Sequence, residues 1–72
     1  MNQEEFRKYI ESIGFKLKPD YEYTYLYKEF KIYLNINFYN FNNGSELNAY
    51  SYNDLSPLLK LTRSIKLKSL LR

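Results

Sequence analysis

The chain has 72 residues, with 11 Lys or Arg, 8 Asp or Glu, no histidine and no cysteine, giving a formal net charge of +3. That inventory excludes disulfides, thiolate and imidazole metal ligands, and the Ser-His and Cys-His pairs of nucleophilic catalysis. A chain this short buries only about 60% of the surface its unfolded form exposes, so its stability has to come from good packing or from association.

The first segment reads as a helix over about residues 3–13. Asn2 is its cap and Glu5, three residues on, the reciprocal half of a capping box. Phe6, Tyr9, Ile10 and Ile13 recur at spacings of three and four and form one apolar stripe. Gly14 stands where a left-handed residue closes a helix, and Phe15 follows as its hydrophobic latch.

After a turn at Pro19-Asp20 the period changes from 3.6 to 2. Tyr21, Tyr23, Tyr25 and Tyr27 alternate with Glu22, Thr24 and Leu26. Phe30, Ile32, Leu34, Ile36 and Phe38 alternate with Lys31, Tyr33, Asn35, Asn37 and Tyr39. Beyond Asn43-Gly44, Leu47, Ala49 and Ser51 alternate with Asn48, Tyr50 and Tyr52. The pattern predicts a three-stranded antiparallel meander with two-residue turns at Lys28-Glu29 and Asn43-Gly44. Directly opposed residues share a face, so these turns put Tyr23, Tyr25, Phe30, Ile32, Leu34, Ile36, Phe38, Leu47 and Ala49 on the core side. A slip of one residue would invert the assignment.

Asp54-Leu55-Ser56-Pro57 starts a second helix, with Ser56 as cap and Pro57 at the first helical position. Leu58, Leu61 and Ile65 make its stripe, whereas Leu67, Leu70 and Leu71 fall on another side of a continuous helix. The pattern predicts a break near Thr62 to Ser64, followed by a second short helix, or by a short strand over Ile65–Lys68. The expected fold is α+β: an N-terminal helix, a three-stranded antiparallel meander and a C-terminal helix or two short helices, in two layers. It forms a single domain over residues 1–72.

The chemistry of this chain points to binding. Its eight acidic residues are scattered, and Gly14 and Gly44, its only glycines, cannot build a phosphate loop. No enzymatic activity, metal or cofactor is expected. Glu4, Glu5, Arg7 and Lys8 in the first ten residues are unlike a signal peptide. No apolar run approaches the ~20 residues of a membrane span, so a soluble cytoplasmic protein is expected.

Two features remain as candidate sites. The side of the meander opposite the predicted core carries Tyr33, Asn37, Tyr39, Phe41, Tyr50 and Tyr52, together with Leu26, Asn35 and Asn48. Tyrosine supplies rigid apolar area with a polar tip and asparagine adaptable hydrogen bonds, a combination suited to recognising a protein. The same face would also serve a homodimer packed sheet to sheet. The second feature is charge: Lys60, Arg63, Lys66, Lys68 and Arg72 follow Leu55 with no acidic residue among them. Lys60, Arg63, Lys66 and Lys68 are the residues by which the chain would contact RNA or DNA.

The helix–strand–strand–strand–helix order resembles that of double-stranded-RNA-binding domains and of HicA-like mRNA interferases. The opening Glu5-Phe6-Arg7-Lys8-Tyr9-Ile10-Glu11-Ser12-Ile13-Gly14-Phe15 is similar in style to the first helix of the latter. Those toxins depend on a strand histidine, which this chain lacks, so their activity does not carry over. In size, Tyr/Asn-rich composition and absence of catalytic residues, the chain also resembles phage-encoded inhibitors of bacterial defence such as anti-CRISPR proteins. That likeness implies a non-enzymatic inhibitor occupying a surface of a host nucleoprotein complex.

Overall fold

The structure is a computed structural model that describes the backbone of residues 1–70 and the side chains of residues 1–64. In chain order it holds α1 (Gln3–Ile13), β1 (Lys16–Leu17), β2 (Thr24–Tyr27), β3 (Phe30–Leu34), β4 (Phe38–Asn42), β5 (Leu47–Ser51) and α2 (Ser56–Leu70). The class is α+β, as the sequence implied. The sheet, however, is a five-stranded antiparallel meander in the order β1-β2-β3-β4-β5, not three-stranded. The order thus departs from the helix–three strands–helix pattern behind the likeness to RNA-binding and interferase folds.

α1 forms as its sequence dictates. The Asn2 side chain accepts from the Glu5 amide at 2.8 Å and the Glu5 side chain returns the contact to the Asn2 amide, closing the capping box. Gly14 takes φ 129°, with its N–H donating to Ile10 and Glu11 carbonyls. A β-carbon there would also lie 2.9 Å from the Tyr27 ring, so the position needs glycine twice over.

The Lys28-Glu29 turn forms as expected, pairing Tyr27 with Phe30 and Tyr25 with Ile32. The next ten residues do not make one strand. The chain reverses at Ile36-Asn37, where the Asn35 N–H donates to the Phe38 carbonyl at 2.9 Å, and Leu34 comes opposite Tyr39. In a hairpin whose closing pair is 35 and 38, odd positions on β4 face the same way as even positions on β3. Every side chain of β4 and β5, and Tyr52 after them, is therefore on the opposite face from the one its alternation suggested. The second turn is also longer. Asn43 to Glu46 form a four-residue loop that pairs Asn42 with Leu47, and the Asn43 side chain accepts from Ser45 and Glu46 amides. That two-residue shift leaves the relative faces of β4 and β5 unchanged.

The core follows from this register. Phe6 and Ile10 of α1, Phe15, Tyr25, Ile32, Leu34, Tyr39, Phe41 and Tyr52, and Leu58 and Leu61 of α2 are buried together. Phe6 lies 4.3 Å from Tyr39 and 5.1 Å from Tyr52, ring centre to ring centre. Both helices thus press on one face of the sheet, in the expected two layers. Tyr25, Phe30, Ile32 and Leu34 line that face as predicted. Tyr23 also lies opposite Leu34 on that side, beneath the Arg7 guanidinium of α1, but at its margin, where it stays exposed. Ile36, Phe38, Leu47 and Ala49 do not line it; all are exposed, and Ile36 is 88% accessible at the turn.

α2 is one helix, without a break between Thr62 and Ser64. The Asp54 carboxylate accepts from the Ser56 amide at 3.2 Å and from its hydroxyl. Asp54 therefore performs the end-capping that the sequence assigned to Ser56, and Ser56 is itself the first helical residue. The alternative of a strand over residues 65–68 does not hold for the backbone, which is helical there.

Candidate interaction surfaces

With both helices on one side, the other side of the sheet is open. Cross-strand pairing arranges it in rows. One runs Lys16, Leu26, Lys31, Asn42, Leu47, and the next runs Thr24, Tyr33, Asn40, Ala49. A third holds Phe38 opposite Ser51. Leu47 is 57% and Phe38 42% exposed, while Tyr33, Leu26, Asn40 and Asn42 are half-buried by their neighbours in the sheet. The rows carry two lysines and no acidic residue. Aromatic, aliphatic and amide groups here form a nearly neutral surface with cations at the β1–β3 end.

The residues proposed from sequence for protein contact divide. Tyr33 lies on the open face as expected, and Asn37 is exposed in the β3–β4 turn beside it. Tyr39, Phe41 and Tyr52 are buried beneath the helices and Tyr50, partly buried, packs against them on the same side, which removes these four from the open face. The reversal at Ile36-Asn37 is the cause. Tyr39 donates its hydroxyl to the Asp54 carbonyl at 2.6 Å and stacks on Tyr50 at 5.6 Å. Burial, first, and then the charge of Asp54 push its phenol well above the ordinary tyrosine range. Tyr52 donates to the Asn35 carbonyl, which also accepts from Gln3 Nε2 at 3.1 Å. These tyrosines tie the helices and the turn together through their polar tips.

The basic residues lie on the other layer. Lys60 and Arg63 are exposed on α2, while the side chains of Lys66 and Lys68 fall outside the described residues, as does Arg72. Lys60 borders a groove of about 360 Å³ between α2 and the sheet, lined by Phe30, Phe41, Tyr50, Pro57 and Leu61 and flanked by Glu46. The open face and the α2 cations therefore do not converge on one ligand. Asp54, fully exposed, is held below the usual carboxylate range first by its hydrogen bond from the Ser56 hydroxyl and then by that from the Ser56 amide.

Phe38, Leu47, Asn40, Asn42 and Lys16 are the surface residues that sequence reasoning missed, whereas Lys31 lies on the open face as its alternation with Ile32 implies. The available signal was Asn35-Ile36-Asn37, where two turn-forming asparagines bracket one isoleucine. Among the described residues there is no group of three or more Asp, Glu, His or Cys able to hold a metal ion, and no helix long and apolar enough to cross a membrane. Comparison with protein-family models, curated proteins and solved structures gave no match.

Proposed function

We propose that this chain is a non-enzymatic protein-binding module that engages its partner through the open face of the sheet, centred on Tyr33, Phe38 and Leu47. The observation that carries the reading is the uncovered face itself: exposed Phe38 and Leu47 beside Tyr33, amide side chains between them and no carboxylate. Tyrosine and asparagine adapt to a protein surface at low entropic cost. The lysines favour a partner with an apolar patch bordered by acidic groups near Lys16 and Lys31. The likeness in type to phage-encoded inhibitors of bacterial defence extends the proposal to a partner within a host nucleoprotein complex. The test is retention of a protein by the immobilised chain, compared with Tyr33→Ala/Phe38→Ser and with Lys60→Glu/Arg63→Glu. Loss with the first pair and retention with the second is expected; equal retention by all three overturns the proposal.

A second reading is single-stranded nucleic acid, favoured by Lys31 adjoining Tyr33 on a sheet face free of acid, an arrangement in which a base can stack beside a neutralised phosphate. Lys60, Arg63, Lys66 and Lys68, on the far layer, would form a separate contact for nucleic acid and not part of this one. It requires binding of mixed oligonucleotides at low salt that weakens steeply as salt rises. Absence of such binding removes it.

A further inference from the structure

The edge strands of a sheet present unpaired N–H and C=O groups, and folded proteins guard them with short length, charge, proline or cover. The two edges of this sheet differ. β1 is two residues long, begins with Lys16 and is followed by Lys18 and Pro19. β5 runs five residues, Leu47–Ser51, without charge or proline. The ladder decides which of its groups are free. The Asn43 N–H donates to the Glu46 carbonyl at 3.1 Å, next to the pairs Phe41–Asn48 and Tyr39–Tyr50. Bonded and non-bonded pairs alternate along an antiparallel ladder. Asn48 and Tyr50 therefore bond to β4, and Leu47, Ala49 and Ser51 direct their backbone groups outward. Among the described residues, the one backbone partner any of these has outside the sheet is the Asp54 N–H, 2.9 Å from the Ser51 carbonyl.

We propose that β5 pairs antiparallel with β5 of a second copy of this chain, about a two-fold axis at Ala49. Leu47, Ala49 and Ser51 are evenly spaced about that axis. The register Leu47–Ser51, Ala49–Ala49, Ser51–Leu47 thus pairs the outward groups in about six hydrogen bonds, of which the two to the Ser51 carbonyls are shared with the Asp54 N–H of the same chain and four join groups without another partner among the described residues. A two-fold contact sets each strand against its own copy, so any charge on it would approach the same charge; β5 has none. The residue on the axis is small. Ser51 lies between Phe38 of its own chain and Leu47 of the second copy, which brings two exposed apolar side chains together over a short one. The association also answers the need of a small domain for more buried surface. It buries on the order of 1,000 Å², the low end for specific contacts. It joins two open faces into one surface and does not depend on what that surface binds.

Sedimentation velocity of the full chain from micromolar to millimolar concentration tests this, with amide hydrogen exchange alongside. The expected result is a rise from one chain to two, accompanied by protection of the Leu47 and Ala49 amides. Ala49→Glu, on the exposed face, is expected to weaken association about tenfold or more by opposing two carboxylates at the axis, with an unchanged circular dichroism spectrum. Ala49→Gln retains most of it. Tyr33→Lys leaves it intact, whereas a dimer packed face to face would be broken by that change. A chain that stays monomeric at millimolar concentration overturns the proposal. So does Ala49→Glu associating as tightly as the wild type, or protection of Ala49 that appears only when a different protein is added.

Discussion

Tyr39 illustrates how one side chain can serve where another role was expected. Its ring is enclosed by Phe6, Tyr50 and Tyr52, and its hydroxyl reaches the Asp54 carbonyl just before α2. Tyr39→Phe keeps the ring and loses that bond, so a loss of about 1 kcal/mol is expected in urea unfolding. Tyr39→Ala empties the space and should cost about 3–5 kcal/mol. The raised phenol pKa makes the native state bind more protons than the unfolded chain at alkaline pH. Stability is then complete below the ordinary tyrosine value of about 10 and falls as pH rises above it. Tyr25 adds to the same trend: burial raises its pKa most, and its hydrogen bond to Glu11 raises it further against the opposing charge of Arg7. Unfolding followed across alkaline pH should therefore show a fall that is shallower in Tyr39→Phe.

At the scale of elements, the turn at Ile36-Asn37 decides the sheet. If β3 ran on to Phe38, Ile36 would be a core residue and Ile36→Asn would cost several kcal/mol. In the turn it is exposed, and Ile36→Asn is expected to change stability by no more than about 0.5 kcal/mol, as read by denaturant midpoint at constant slope. The helix ends respond differently. Asn2→Ala should cost about 1 kcal/mol through loss of the capping box. Gly14→Ala should cost about 1–3 kcal/mol from its positive φ, with the contact on Tyr27 adding to it. The depressed Asp54 pKa adds stability that is present above the ordinary aspartate value of about 4 and lost as pH falls below it. Asp54→Asn should blunt the acid limb of the stability profile.

At the scale of the whole molecule, the helices occupy one face of a sheet whose other face and β5 edge are uncovered among the described residues. Self-association through β5 predicts a thermal midpoint that rises with chain concentration in the wild type and stays constant in Ala49→Glu. Two copies of net charge +3 repel, so added salt should tighten that association. It would weaken any binding to nucleic acid, and the opposite signs separate the two modes in one titration.

α1, its capping box and its glycine stop were legible in the sequence because they depend on neighbours no more than four residues away. The Lys28-Glu29 turn and the faces of β2 and β3 followed from alternation for the same local reason. The fate of Tyr39, Phe41, Tyr50 and Tyr52 was not legible. Both faces of β4 carry an aromatic side chain, and extending the alternation of β3 through Ile36 carried Phe38 inward although Asn40 and Asn42 share its face; the choice fell to the reversal at Ile36-Asn37. Only the packed molecule decides it, because the helices seal whichever face encloses Phe6, Ile10 and Leu58 and leave the other to water.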